Sequence, residues 1–184
     1  MKNKLRIIGG DWRSRQLSFV DAPGLRPTPA RVRETLFNWL QYEIVGKCCL
    51  DLYAGSGALG FEAASRGAKS VVQVENNVQA CRSLKANALA LSATQITTVQ
   101  SDVLRYLAGQ AQAFAFDVVF LDPPFGLNLV VQTCQQLEAY GWLAKQAKIY
   151  VETERQFAFA GMPENWRLLK SKSAGEVAYH LFAR

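Results

Sequence analysis

Asp122-Pro123-Pro124-Phe125 follows directly on the apolar run Phe116–Leu121. A carboxylate, two residues without N–H groups and an aromatic ring therefore stand where a buried strand leaves the core. Prolines stop strands and aspartate starts turns, which is one reading of the tetrapeptide. The other is chemical: a fixed backbone whose carbonyls and carboxylate accept hydrogen bonds beside a ring able to stack. A second set of residues bears on the choice. In LDLYAGSGALG, Gly55, Gly57 and Gly60 match G-x-G-x-x-G after a strand-like run, and Glu75 lies about twenty residues beyond Gly55. Glycines permit a tight turn and close approach of backbone to ligand, and an acidic side chain at that distance accepts from a ribose diol. The pattern by itself fits nicotinamide, flavin and adenosyl cofactors alike.

Asp51 separates them. It stands in an otherwise apolar strand four residues before Gly55, where a carboxylate is costly unless something pairs with it. A dinucleotide brings a pyrophosphate, which an acid near the turn repels. S-adenosylmethionine brings an α-ammonium and a sulfonium, which it attracts. Asp102 is open to two readings, as an acceptor for the adenine amino group beside the Val103 N–H, or as the N-cap of the helix VLRYL.

The first 33 residues carry eight Lys and Arg against two Asp, and account for the whole formal charge of +6. This stretch also contains Leu5, Ile7, Ile8, Trp12, Leu17, Phe19 and Val20, so it reads as a folded basic element aimed at a polyanion rather than a solvated tail. Arg13, Arg15, Arg26, Arg31 and Arg33 are the candidate phosphate contacts, and Trp12 either stacks on a base or packs. Four cysteines, Cys48, Cys49, Cys81 and Cys134, match no zinc spacing and read as reduced core thiols. One histidine, His180, gives little support to triad or His-metal chemistry, and no metal is expected. The N-terminus has no secretory pattern and no run spans a bilayer, so the chain reads as soluble, cytoplasmic and without a membrane partner. Nothing in the pattern demands a dimer, and a monomer is expected.

These residues need a scaffold. LRII and QLSFV read as short paired strands joined by GGDWRSR. A helix is expected with Thr28 as N-cap, Pro29 at its first position, and Val32, Leu36, Trp39, Leu40 and Ile44 on its apolar stripe. From Cys48 onward strands and helices alternate, and WRLLKSKS and EVAYHLF close the chain as an antiparallel pair. This order predicts an α/β fold, with a mostly parallel seven-stranded sheet and helices on both faces. Residues 1–27 are expected to form a small basic hairpin appendage, and residues 28–184 the main domain.

Taken in order, DLYAGSGALG, Glu75, Asp102 and DPPF resemble the Rossmann-like class I S-adenosylmethionine-dependent methyltransferases. Asp/Asn-Pro-Pro-aromatic is similar to the signature of those that methylate exocyclic or amide nitrogens. RIIGGDWRSRQL followed by LRPTPARVRETLFNWL resembles the RsmD family, bacterial 16S ribosomal RNA guanine-N2 methyltransferases. That resemblance implies S-adenosylmethionine as methyl donor and 16S rRNA, in the small subunit or an assembly intermediate, as partner. The donor is expected against Asp51, Tyr53, Ala54, Gly55, Ser56, Gly57, Gly60, Glu75, Asn76, Asp102 and Val103. An aryl amine is a weak nucleophile, and acceptors on both of its protons favour the pyramidal geometry that attacks a methyl group. Asp122 and the Pro123 carbonyl are those acceptors, Pro124 stiffens the turn, and Phe125 stacks on the base. Alternative acceptors for the same chemistry are adenine N6 in DNA and a glutamine amide in protein. A nicotinamide-dependent oxidoreductase and a catalytically silent RNA-binding module are the readings from other classes.

Overall fold

A computed structural model describes residues 3–20, 27–109 and 115–184. β1 (Asn3–Arg6) and β2 (Gln16–Phe19) pair antiparallel with Leu5 opposite Leu17, so alternate apolar residues fall on one face. Then follow α1 (Ala30–Trp39), β3 (Cys48–Leu52), α2 (Ala58–Ser65), β4 (Ser70–Glu75), α3 (Val78–Ala90), β5 (Ile96–Gln100), α4 (Val103–Leu107), β6 (Phe116–Leu121), α5 (Leu129–Ala139), β7 (Leu143–Glu154), β8 (Arg167–Ala174) and β9 (Val177–Ala183). The main sheet runs β5-β4-β3-β6-β7-β9-β8. Its first five strands are mutually parallel, and β9 inserts antiparallel between β7 and β8. The expected seven-stranded sheet, its C-terminal antiparallel pair and the N-terminal hairpin are all present.

Both faces of the sheet are covered, as near-continuous apolar strands require. On one face Val32, Leu36 and Phe37 of α1, Leu40 just after it, and Leu59 and Ala63 of α2 pack on Cys49, Phe120 and Tyr150. On the other, Val103 and Leu107 of α4 and Val130, Cys134 and Leu137 of α5 pack on Leu50, Val119 and Ile149. The apolar stripe of α1 includes Phe37, while Trp39 is half-buried against Tyr179 with ring centroids 5.5 Å apart. All four cysteines are free thiols; Cys49, Cys81 and Cys134 are buried and Cys48 is partly exposed.

The hairpin is not a loose appendage. Leu5, Ile7, Leu17 and Phe19 form a third apolar cluster with Ala58 and Phe61 of α2 and Leu84 of α3. Helix α2 thus lies between the sheet and the hairpin, and every one of its residues is buried. Within it Glu62 is fully inaccessible and accepts the N–H groups of Ile8 (2.9 Å) and Gly9 (2.8 Å). At Ser65 the backbone carbonyl receives the Asp11 N–H at 2.8 Å, and the hydroxyl donates to the Gly9 carbonyl at 2.6 Å. Gly10 has φ +75°, and a Cβ there would stand 1.8 Å from the Ser65 carbonyl oxygen, so no other residue allows this approach.

Two expectations shift here. Pro29, not Thr28, is the N-cap of α1, and no side chain caps the helix, because the Thr28 hydroxyl turns inward to carboxyl groups. Arg33, expected to reach phosphate, is only 4% exposed. Its guanidinium pairs with Glu62 at 3.4 Å and donates to the carbonyls of Thr28 (3.1 Å) and Arg6 (3.0 Å). Facing α2, Arg33 ties hairpin to helix instead of meeting a ligand.

Candidate active site

The order of strands reverses direction at β3, whose neighbours β4 and β6 lead to opposite halves of the sheet. A crevice opens at the carboxyl ends of strands at such a point, and the expected residues converge there. After β3 the chain turns through Tyr53 (φ 60°), Gly55 (φ 53°) and Gly57 (φ 78°) into α2. Gly57 admits no side chain, since a Cβ would stand 2.5 Å from Leu84 and 2.7 Å from Phe61. Gly60 is already inside α2, where a Cβ would meet Asp51 Oδ2 at 2.7 Å.

Glu75, at the end of β4, is buried and accepts from Gly55 N–H (2.8 Å) with one oxygen and Asn77 N–H (2.7 Å) with the other. Two backbone donors fix its carboxylate, and each oxygen keeps a lone pair for a further donor. Glu75 lines a small open crevice together with Tyr53, Asn76, Asp102 and Val103. The Tyr53 hydroxyl is 2.9 Å from Thr133 Oγ1, which anchors the ring. Asp102 is the N-cap of α4, accepting the Arg105 N–H at 2.9 Å through Oδ1, while its side chain remains exposed at the crevice. Ala54 and Ser56 are buried within the turn itself.

Asp51 lies inside, held by the Gly60 N–H (3.0 Å) and the Gln73 amide (3.4 Å). Burial pushes its carboxyl up to about 7 against these two hydrogen bonds. On β6 the chain reaches Asp122, one residue past the Leu121–Val151 register, so Glu152 of β7 stands beside it. Glu152 is 4% exposed and accepts the Tyr150 hydroxyl at 2.9 Å. Both carboxyls lie above the usual carboxylate range: burial is the main cause for each, and for Asp122 the neighbouring Glu152 and Asp51 add to it. Among the described residues no Lys or Arg forms an ion pair with Asp51, Asp122 or Glu152. Three acidic groups thus converge without a cation.

Beyond Asp122, Pro123 is buried and Pro124 exposed, and Phe125 projects with 46% of its surface accessible. Arg13, Arg15 and Arg31 are exposed and form no ion pair among the described residues. Trp12 is half-buried, packed on the two clusters that meet at α2, and its backbone N–H donates to Ser65 Oγ at 2.9 Å. Packing, the second of its two readings, is what the geometry gives. Arg26 lies outside the described residues.

The sequence reading missed the roles of Thr28, Tyr150 and Glu152, which gather at Asp122 from two separated parts of the chain. A carboxylate beside a tyrosine in an alternating strand (IYVETE) was the available signal.

Known proteins are similar to this chain over nearly its whole length. The family described as conserved hypothetical protein 95 matches residues 5–183. The ribosomal RNA small subunit methyltransferase D of Escherichia coli K12 is 46% identical over 181 residues, covering 98% of this chain and 90% of the relative. Its Haemophilus influenzae counterpart of the same name is 46% identical over 183 residues, covering 98% and 94%. The solved structure of the Escherichia coli protein yhhF superposes with a TM-score of 0.89 at 46% identity, covering 99% of this chain and 98% of that one.

Proposed function

The chain belongs to the conserved hypothetical protein 95 family, that of the ribosomal RNA small subunit methyltransferases D, and from that premise we propose that it transfers a methyl group from S-adenosylmethionine to the N2 amino group of a guanine in small-subunit rRNA. One observation carries the reading: three cation-free carboxyl groups converge near a glycine turn, the buried Asp51 and Glu152 with the partly exposed Asp122 that opens Asp-Pro-Pro-Phe. A cationic donor repays the burial of those groups, whereas the pyrophosphate of a nicotinamide dinucleotide would be repelled by them.

When bound, the donor supplies an electrophilic methyl group on sulfonium sulfur. Glu75, already oriented by two backbone N–H groups, receives its ribose hydroxyls. The exposed side of Asp102 and the Val103 N–H serve the adenine, with Asn76 and Tyr53 completing the crevice wall. Asp51 and its acidic neighbours favour the positively charged end. Asp122 and the Pro123 carbonyl accept from the guanine amine, and Phe125 stacks on the extruded base. Residues 1–27 act as the RNA-contacting appendage, in which Arg13 and Arg15, with Arg31 of α1, hold phosphates.

The test is methylation of small subunits lacking the modification, followed by mass mapping of the product nucleotide. Labelled methyl on one guanine N2 is expected, and Asp122→Ala should lower kcat by about a hundredfold or more. Methyl on adenine, or none on rRNA, overturns the assignment.

A further inference from the structure

The proposed reaction leaves Glu152 without a task, although a second buried acid beside the catalytic one is costly. Groups from several elements surround it. Register places it next to Asp122 across β6 and β7 and opposite Tyr179 of β9. Tyr150 donates to it along its own strand. Thr28, just ahead of α1, has its side chain within hydrogen-bonding reach of both Glu152 and Asp122. Asp51 of β3 is the third acid, and Arg33 of α1 spends its charge on Glu62.

One hydroxyl proton cannot serve two carboxylates. The Thr28 hydroxyl satisfies both neighbours only by donating to a carboxylate and accepting from a carboxylic acid. Tyr150 decides which is which, because its donated proton favours the anion on Glu152. Two like charges at adjacent register positions in a buried site share a proton in any case. We propose, on the footing of the methyltransfer reading, that Asp122 and Glu152 form a single-proton pair in which Glu152 is a positioning residue: it holds the negative charge, Asp122 holds the proton, and the neutral Asp122 carboxyl turns its carbonyl oxygen to the substrate amine. Asp122 then works as a hydrogen-bond acceptor of amide type, not as a base. The net negative charge for a cationic donor is kept one residue away, where it does not compete for the amine.

The first measurement needs no donor. In protein labelled with 13C at side-chain carboxyls, a signal lost in Asp122→Asn should show a protonated carboxyl at neutral pH. In Glu152→Gln, which keeps an oxygen for Tyr150, the Asp122 titration should move down by about one pH unit or more. Should Glu152→Gln fail to fold, Tyr150→Phe weakens the anion on Glu152 and should shift the same signal in the same direction. The second measurement is kinetic. Asp122→Asn carries a permanent neutral acceptor, so its kcat should fall about tenfold less than that of Asp122→Ala, and any alkaline decline of the wild-type kcat should be absent from it. An Asp122 ionised at neutral pH in the wild type, or an asparagine variant as inactive as the alanine one, overturns the pairing. Absence of methyl transfer to rRNA by the wild type would instead strike the functional reading, and the carboxyl titration would stand or fall separately.

Discussion

At the scale of single residues, Asp51 sets a measurable dependence on pH. Its carboxyl has a value of 3.8 when unperturbed and about 7 in the fold. A group raised in this way stabilises the native state in its protonated form. Its contribution is fully present below 3.8 and is lost as pH rises through about 7, with a slope of up to ~1.4 kcal/mol per pH unit. Asp122 and Glu152 act in the same direction. His180 opposes them: burial between Thr153 and Ser171 holds its imidazole below 6.5, so it costs stability as the medium becomes acidic. Comparison with Asp51→Asn isolates the one group. The donor-free variant should lose less melting temperature than the wild type between about pH 5 and pH 8. Parallel curves for the two proteins would mean that Asp51 titrates as it does in water.

At the scale of elements, the join between hairpin and α2 depends on Glu62. It satisfies two backbone N–H groups and two arginines, with Arg66 at 2.8 Å and Arg33 at 3.4 Å. Glu62→Ala leaves the buried Arg33 guanidinium without its counter-charge and should cost about 3–5 kcal/mol, read from denaturant midpoints. Replacing Arg33 by Met in the same chain should recover part of that loss, and strict additivity of the two would show that they are not coupled. The sheet, the hairpin and the order of helices were legible because apolar periodicity changes between two and 3.6 at each boundary. Glu62 was not, since Glu followed four residues later by Arg reads as a solvated helix pair until the hairpin covers it. Thr28 has the composition of an N-cap, and only the carboxyl groups across the fold divert it. Glu152 alternates with Val151 and Thr153 as a surface residue does, and the register that sets it against Asp122 belongs to strands far apart in sequence. The glycine turn, Glu75 and Asp122 were readable because each stands where an apolar strand run ends, at β3, β4 and β6. Arg33 looked like the other arginines of its segment, and burial alone separates it from them.

For the whole molecule, the charge is polarised: the entire surplus of +6 sits in the first 33 residues, while the crevice at the other side of α2 is acidic. Under the proposed function, this arrangement would steer a polyanion to the hairpin and a small cation to the carboxyl ends of the central strands. Reversing both Arg13 and Arg15 to Glu should weaken rRNA binding and flatten the slope of log affinity against log salt by about 1.4–1.8 or more, while donor affinity stays within twofold. Equal loss of both affinities would contradict this division of labour. The buried thiols carry a further consequence for experiment. Cys49 and Cys134 lie on opposite faces of the central sheet, and burial pushes both well above the ordinary thiol range. Each forms a thiolate only when its own layer opens. Alkylation at these two positions therefore works as a pair of stopwatches, one per layer, and their agreement or divergence tells whether the layers come apart together or in turn.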